Sequence, residues 1–215
     1  MNKEFSVKQT FNNLPEQKRQ RVIQSSIAEF GEHGYEHGST DRIVKRAGIS
    51  KGGLYEYIES KKDLFLFSVD YTYTRLYEFI GDHISSKQIV LPSDILERFR
   101  LIASIAIEFY IQHPEMISFI VKCNHLKDTV LMSEVQKIFL DKFDELFSGA
   151  ESAPLAFPLK EVIELLRWLL VKTRNDFVAR LAVNSDTEGV RREYMNEWNL
   201  YLSMLSRGIY KEKKL

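Results

Sequence analysis

Lys51, Gly52, Gly53, Tyr55 and Tyr57 lie within seven residues of one another, in "AGISKGGLYEYIESKKDLF". The paired glycines, set beside two tyrosines, leave one side of a short helix without side chains. A glycine costs roughly 1 kcal/mol relative to alanine in a helix, so a bare helix start implies that something large must approach its backbone. Other chemistries find less support. His113, Cys123 and His125 are metal-ligand types, but Cys-x-His is not a recognised structural zinc spacing and no fourth ligand is evident. No metal or cofactor is therefore expected. The chain has no Gly-x-Ser-x-Gly, no phosphate-cradling glycine loop and no His-Glu-x-x-His. Glu161 and Glu164 share a helix face with Arg167 and read as a charged surface. No catalytic residues are assigned, and an enzyme is not expected.

The elements that would position these groups are helices. Val22, Ile23, Ile27 and Phe30 follow a 3–4 spacing from Pro15 until Gly31 and Gly34 stop it. Ser39-Thr40-Asp41 caps a short helix carrying Ile43, Val44 and Ala47 and ended by Gly48, and Ser50 caps another through about Tyr57. Ser60 opens a long helix. Pro92-Ser93-Asp94 opens one that closes before Pro114, and shorter ones cover about 115–123 and 128–147. A loop is predicted over "SGAESAPLAFP", 148–158, followed by long helices at about 158–183 and 187–210. No strand-like alternation competes. The fold class is all-α, about nine helices, with a three-helix head at 1–62 and a larger body at 63–215.

Of the 215 residues, 44% are hydrophobic, enough for a core, and 30 Lys+Arg balance 30 Asp+Glu. The balance is local, not uniform. Residues 1–62 hold eleven basic and eight acidic residues, a net +3; subtraction leaves nineteen and twenty-two for 63–215, a net −3. A single cysteine cannot form an internal disulfide, the N-terminal residues lack a signal-peptide pattern, and no uncharged apolar run approaches ~18 residues. A cytoplasmic protein that does not span a membrane is expected.

Two short capped helices joined at a glycine form a helix-turn-helix signature. Ile43, Ala47, Ile49 and Leu54 would lock them together, leaving Lys51, Gly52, Gly53, Tyr55 and Tyr57 outward, so that the bare helix start could lie against a DNA groove. The stretch "SIAEFGEHGYEHGSTDRIVKRAGISKGGLYEYIESKKDLF", residues 26–65, resembles the TetR family of bacterial transcriptional regulators. The likeness rests on the Phe-x-x-x-Gly-Tyr run, Ile43, Ala47-Gly48-Ile49-Ser50, Leu54-Tyr55 and Ser60-Lys61. It covers about a fifth of the chain; the rest resembles the family only in its long helices.

The resemblance implies a DNA-binding regulator, most often a repressor, acting as a homodimer on a palindromic operator and released by a small effector. It implies caps and phosphate contacts at Ser39 and Thr40, base or nearby phosphate contacts at Lys51, Gly52, Gly53 and Tyr57, and phosphate contacts at Tyr55 and Lys61. Gly53 and Arg42 depart from the commoner pattern; Gly53 shifts readout toward DNA shape, and Arg42 would add a backbone contact. An apolar or amphipathic effector is expected among Phe99, Phe109, Tyr110, Met116, Phe119 and Cys123. A dimer face is expected at Val162, Leu166, Leu169 and Phe177 with Tyr194, Trp198, Tyr201 and Leu205. The competing reading is a helical protein-interaction module without DNA binding.

Overall fold

A computed structural model describes residues 7–147, 149–150 and 155–209. Among them ten helices follow in order: α1 Gln9–Asn12, α2 Glu16–His37, α3 Thr40–Ala47, α4 Lys51–Tyr55, α5 Lys61–Ser86, α6 Ile95–Gln112, α7 Pro114–Cys123, α8 Thr129–Phe147, α9 Leu159–Val183 and α10 Thr187–Ile209. Val7 and Ile58 form an isolated antiparallel bridge, and no described segment forms a strand. The chain is all-α. No described helix is long and apolar enough to cross a membrane. Residues 148 and 151–154 of the loop predicted at 148–158, and Tyr210 at the end of the last predicted helix, lie outside the described residues.

The additional helix is α1, which precedes Pro15 and was not predicted. The first long helix also runs past its predicted stop at Gly31 and Gly34. Gly34 leaves helical geometry (φ 72, ψ 177), and the chain resumes helical turns to His37 beyond the kink. Glycine adopts that positive φ without steric cost.

Contacts group the residues into two units. The first holds the chain up to Arg75 together with His113–Phe143. Its core is a cluster of rings from α2, α5 and α7: Phe30 meets Phe65 edge-on at 5.1 Å, and Phe119 meets Phe65 edge-on at 5.5 Å and stacks on Phe30 at 6.3 Å. Such pairs add about 0.5–1.5 kcal/mol each beyond their buried area. Residue 62, the boundary expected from sequence, lies inside this unit near the start of α5.

The second unit holds Leu76–Gln112 and the residues from Asp144 onward. A chain of buried rings joins α6, α9 and α10: Tyr110 to Phe177 at 6.2 Å, Phe177 to Tyr194 at 5.2 Å, and Tyr194 to Trp198 at 6.4 Å. Ion pairs tie the same helices, Arg180 with Glu197 and Arg191 with Glu108.

Candidate nucleic-acid interface

The α3–α4 pair is built largely as its sequence dictates. Gly48 ends α3 in the left-handed region (φ 68, ψ 40), and Ile49 N–H donates to the Val44 carbonyl at 3.1 Å. Ser50 Oγ then accepts from Gly53 N–H at 3.0 Å, capping α4. Ile43, Val44, Ala47 and Leu54 are buried between the helices, while Ile49 is half-buried. The start of α3 is capped differently from expectation. Ser39 makes no side-chain cap; its backbone N–H donates to Glu29 Oε1 at 2.9 Å, so a carboxylate from α2 anchors the start of α3.

Glu29 is 1% exposed and also receives the Arg42 guanidinium, with Nη2 at 2.6 Å. Burial pushes its carboxyl pKa up, but the Arg42 and Ser39 hydrogen bonds, with Arg42 and His33 charge, outweigh it and hold the group below its ordinary value. Arg42 donates further to the His37 carbonyl at 2.8 Å. It therefore clamps α3 to α2 while its side chain stays half exposed.

Of two further expected contacts, Tyr57 turns inward and Lys61 is held at the edge of α2. Tyr57 is 8% exposed, lies 6.1 Å from the Phe11 ring, and its hydroxyl accepts from Lys18 Nζ at 3.2 Å. It packs the head and does not present an open face to bases. Lys61 is half-buried; its ammonium donates to the Glu36 carbonyl at 3.3 Å and sits 4.7 Å from the Tyr35 ring centroid. Burial pulls its pKa below the usual lysine value.

The remaining expected residues form an accessible strip. Lys51, Gly52 and Tyr55 are exposed, and Ser39, Thr40 and Gly53 are half-buried. Lys51 pairs with Asp41 Oδ1 at 2.8 Å, and that hydrogen bond raises its pKa, keeping it cationic. The two glycines differ. A Cβ on Gly52 would meet nothing within 4 Å and its φ is not positive, so neither packing nor backbone geometry within the chain requires glycine there. A Cβ on Gly53 would sit 3.0 Å from the capping Ser50 Oγ, so this glycine protects the cap.

One element was missed altogether. Residues 7–11 clasp the far end of α4: Lys8 N–H donates to the Tyr57 carbonyl (2.8 Å), Lys8 Nζ to the Tyr55 carbonyl (3.0 Å), and Thr10 Oγ1 to the Glu56 carbonyl (2.8 Å). Phe11 is fully buried, edge-on to Phe67 at 5.2 Å. The available signal was Val7 and Phe11, four residues apart in an otherwise polar run.

Residues 22–66 match the family model of bacterial regulatory proteins, tetR family. The helix-turn-helix head is thus similar to that of the TetR family. The chain's likeness to TetR-family proteins extends beyond the head. The chain is 20% identical over 176 residues to the HTH-type transcriptional repressor AcnR of Corynebacterium glutamicum, spanning 82% of this chain and 88% of that one. In fold it resembles a TetR-family transcriptional regulator from Chloroflexus aurantiacus, with TM-score 0.66 and 23% identity over 96% of this chain and 99% of the other. It also resembles the transcriptional regulator FadR from Bacillus subtilis, solved with stearoyl-CoA, with TM-score 0.60 and 15% identity over 83% and 96%.

The other two predicted sites are not assembled as expected. Phe99, Phe109 and Tyr110 belong to the second unit, whereas Met116, Phe119 and Cys123 belong to the first. All but Met116 are buried in packing; Phe119 is a core ring of the head, and Phe99 stacks on Phe147 at 4.1 Å. Val162, Leu166, Leu169, Phe177, Tyr194 and Trp198 are likewise buried within the single chain, and only Tyr201 and Leu205 are half-exposed. The stripe read as dimer-facing faces the chain's own core. No group of three or more His, Cys, Asp or Glu side chains suited to a metal occurs among the described residues.

Proposed function

We propose that this chain is a TetR-family repressor that binds a palindromic operator as a homodimer and leaves it when a small amphipathic ligand binds. The observation that carries the reading is the α4 start: capped, exposed, and bare at Gly52 with no reason inside the chain. Lys51 and Tyr55 would flank the groove, and Ser39 and Thr40 would meet phosphates, which fix register but carry no sequence information. That AcnR is named a repressor supports the direction of control. The stearoyl-CoA bound to FadR supports an amphipathic ligand class. By linkage, a ligand favouring a different head geometry must be held less well by the DNA-bound form, with typical couplings of about 1–3 kcal/mol.

The dimer would use the outer faces of α9 and α10. Leu165, Trp168, Leu200 and Met204 are 41–63% exposed there, and Leu165, Trp168 and Met204 line an apolar groove of about 200 Å³ with Tyr201 and Leu205. Large aromatic and Met side chains are favoured in such interfaces. Selection from random duplexes should enrich a palindrome, and sedimentation should give twice the single-chain mass. A single-chain mass at micromolar concentration, or no enriched sequence, would overturn the proposal.

A further inference from the structure

Helices shorter than about 12–15 residues are marginal on their own in water, and α4 has only 5. Its start is ordered locally, by the Ser50 cap. Its end is not. The last carbonyls of a helix have no partner within it, and here those of Tyr55, Glu56 and Tyr57 all accept from the segment that precedes α2. Lys8 Nζ reaches the Tyr55 carbonyl at 3.0 Å, Thr10 Oγ1 the Glu56 carbonyl at 2.8 Å, and Lys8 N–H the Tyr57 carbonyl at 2.8 Å. The Lys8 ammonium also suits the negative end of the helix dipole.

Anchoring and alignment fall to different residues. Phe11 is fully buried, edge-on to Phe67 of α5 and 6.1 Å from the Tyr57 ring, and it anchors the segment. Leu54, Tyr57 and Ile58 are buried as well, but apolar burial is non-directional. Hydrogen bonds have preferred angles, so the bonds from Lys8 and Thr10 fix how α4 is tilted. Both side chains are exposed and add little burial of their own. Both also precede residues 22–66, the stretch that the family model matches. We infer that the segment 7–11 belongs to the DNA-reading apparatus, with Lys8 and Thr10 as positioning residues that set the angle at which α4 presents Lys51, Gly52 and Tyr55. The inference rests on the reading of α4 as the helix that meets DNA. A binding constellation works when held within about 0.5 Å and 10–20°, and base contacts, which carry the sequence information, are lost first when that alignment goes.

The test compares full-length parent, Lys8→Met, Thr10→Val and the double variant on the palindrome that the parent enriches and on a scrambled duplex. Lys8→Met keeps the stem without the ammonium, and Thr10→Val keeps the shape without the hydroxyl. The exposed sites should leave melting as in the parent, and either single variant carries the comparison if the other misfolds. The double variant should bind the palindrome about tenfold more weakly, the scale of two net hydrogen bonds. It should bind the scrambled duplex as the parent does, with the parent's salt slope. Lys8→Arg and Thr10→Ser should restore most of the affinity. In the free protein, the Glu56, Tyr57 and Ile58 amides, which donate to the Gly52 and Leu54 carbonyls, should exchange hydrogen faster in the double variant. Equal losses on both duplexes, with a salt slope lower by about one for each head, would overturn the inference, because Lys8 would then be a phosphate contact. Unchanged amide exchange would overturn it too. If the parent enriches a palindrome and the variants discriminate as it does, this inference alone falls; if the parent enriches none, the reading of α4 falls and takes the inference with it.

Discussion

Gly52 separates folding from function, because a side chain there should help one and harm the other. It is the second residue of α4, its φ lies in the ordinary region, and an added Cβ meets no atom within 4 Å. Alanine at a compatible site restricts the unfolded chain and should stabilise the protein by about 0.4–1 kcal/mol. For a domain of this size that corresponds to roughly 1–4 °C in Tm. If DNA must lie against this backbone, the same methyl should weaken operator binding, and Gly52→Leu should weaken it about tenfold or more, roughly 1.4 kcal/mol. Thermal denaturation and fluorescence anisotropy on one duplex read the two effects from the same preparations. The expected pattern is opposite signs: higher Tm, lower affinity. A Gly52→Leu protein that folds and binds at full strength would refute the close-approach argument. A Gly52→Ala protein that melts earlier would show that this glycine serves the fold.

Glu29→Gln should destabilise the head by about 1–2 kcal/mol at neutral pH, the difference between charged and neutral hydrogen bonds to Arg42 and Ser39. Because the folded pKa lies below the ordinary 4.5, this stabilisation is present above about that pH and fades as pH falls through the folded value; denaturant titrations from pH 7 to 3 should show parent and variant converging. Phe11→Ala should release the clasp on α4 at a cost of about 3 kcal/mol, measured by chemical denaturation, and should lower operator affinity as Tyr57 loses its packing partner. Trp168→Glu should weaken the dimer by about 2 kcal/mol or more, visible as single-chain mass in sedimentation without loss of helical signal, whereas Trp198→Glu should unfold the second unit.

The parts legible in the sequence are those fixed by neighbours along the chain. Gly48 and Ser50 announce the α3 end and the α4 cap because each acts within three or four residues, and the bare Gly52 is visible as a letter. What escaped depends on partners distant in sequence. Glu29 anchors the start of α3 through the Ser39 N–H, ten residues away, and nothing local distinguishes it from a solvated glutamate. The clasp at 7–11 is held by bonds to the backbone carbonyls of residues 55–57, which leave no pattern in the side chains of α4. Tyr57 reads as outward by helical spacing, yet α4 ends at Tyr55, so that spacing no longer applies. Periodicity also shows that Tyr194 and Trp198 share a face without showing whose core it meets. Here it meets Phe177 and Tyr110, and the outward residues Trp168, Leu200 and Met204 lie on other faces of the same helices.

The central claim is that α4 reads duplex DNA in a two-fold arrangement, and selection from random duplexes followed by a salt titration tests it most directly. The account predicts that the parent enriches a palindrome and that its affinity falls steeply and log-linearly with salt, by the counterion release expected of phosphate contacts from two heads. Gly52→Leu should bind the enriched palindrome about tenfold or more weakly than the parent while remaining folded. A parent protein that enriches no sequence and binds all duplexes with the same weak, salt-insensitive affinity would contradict the account.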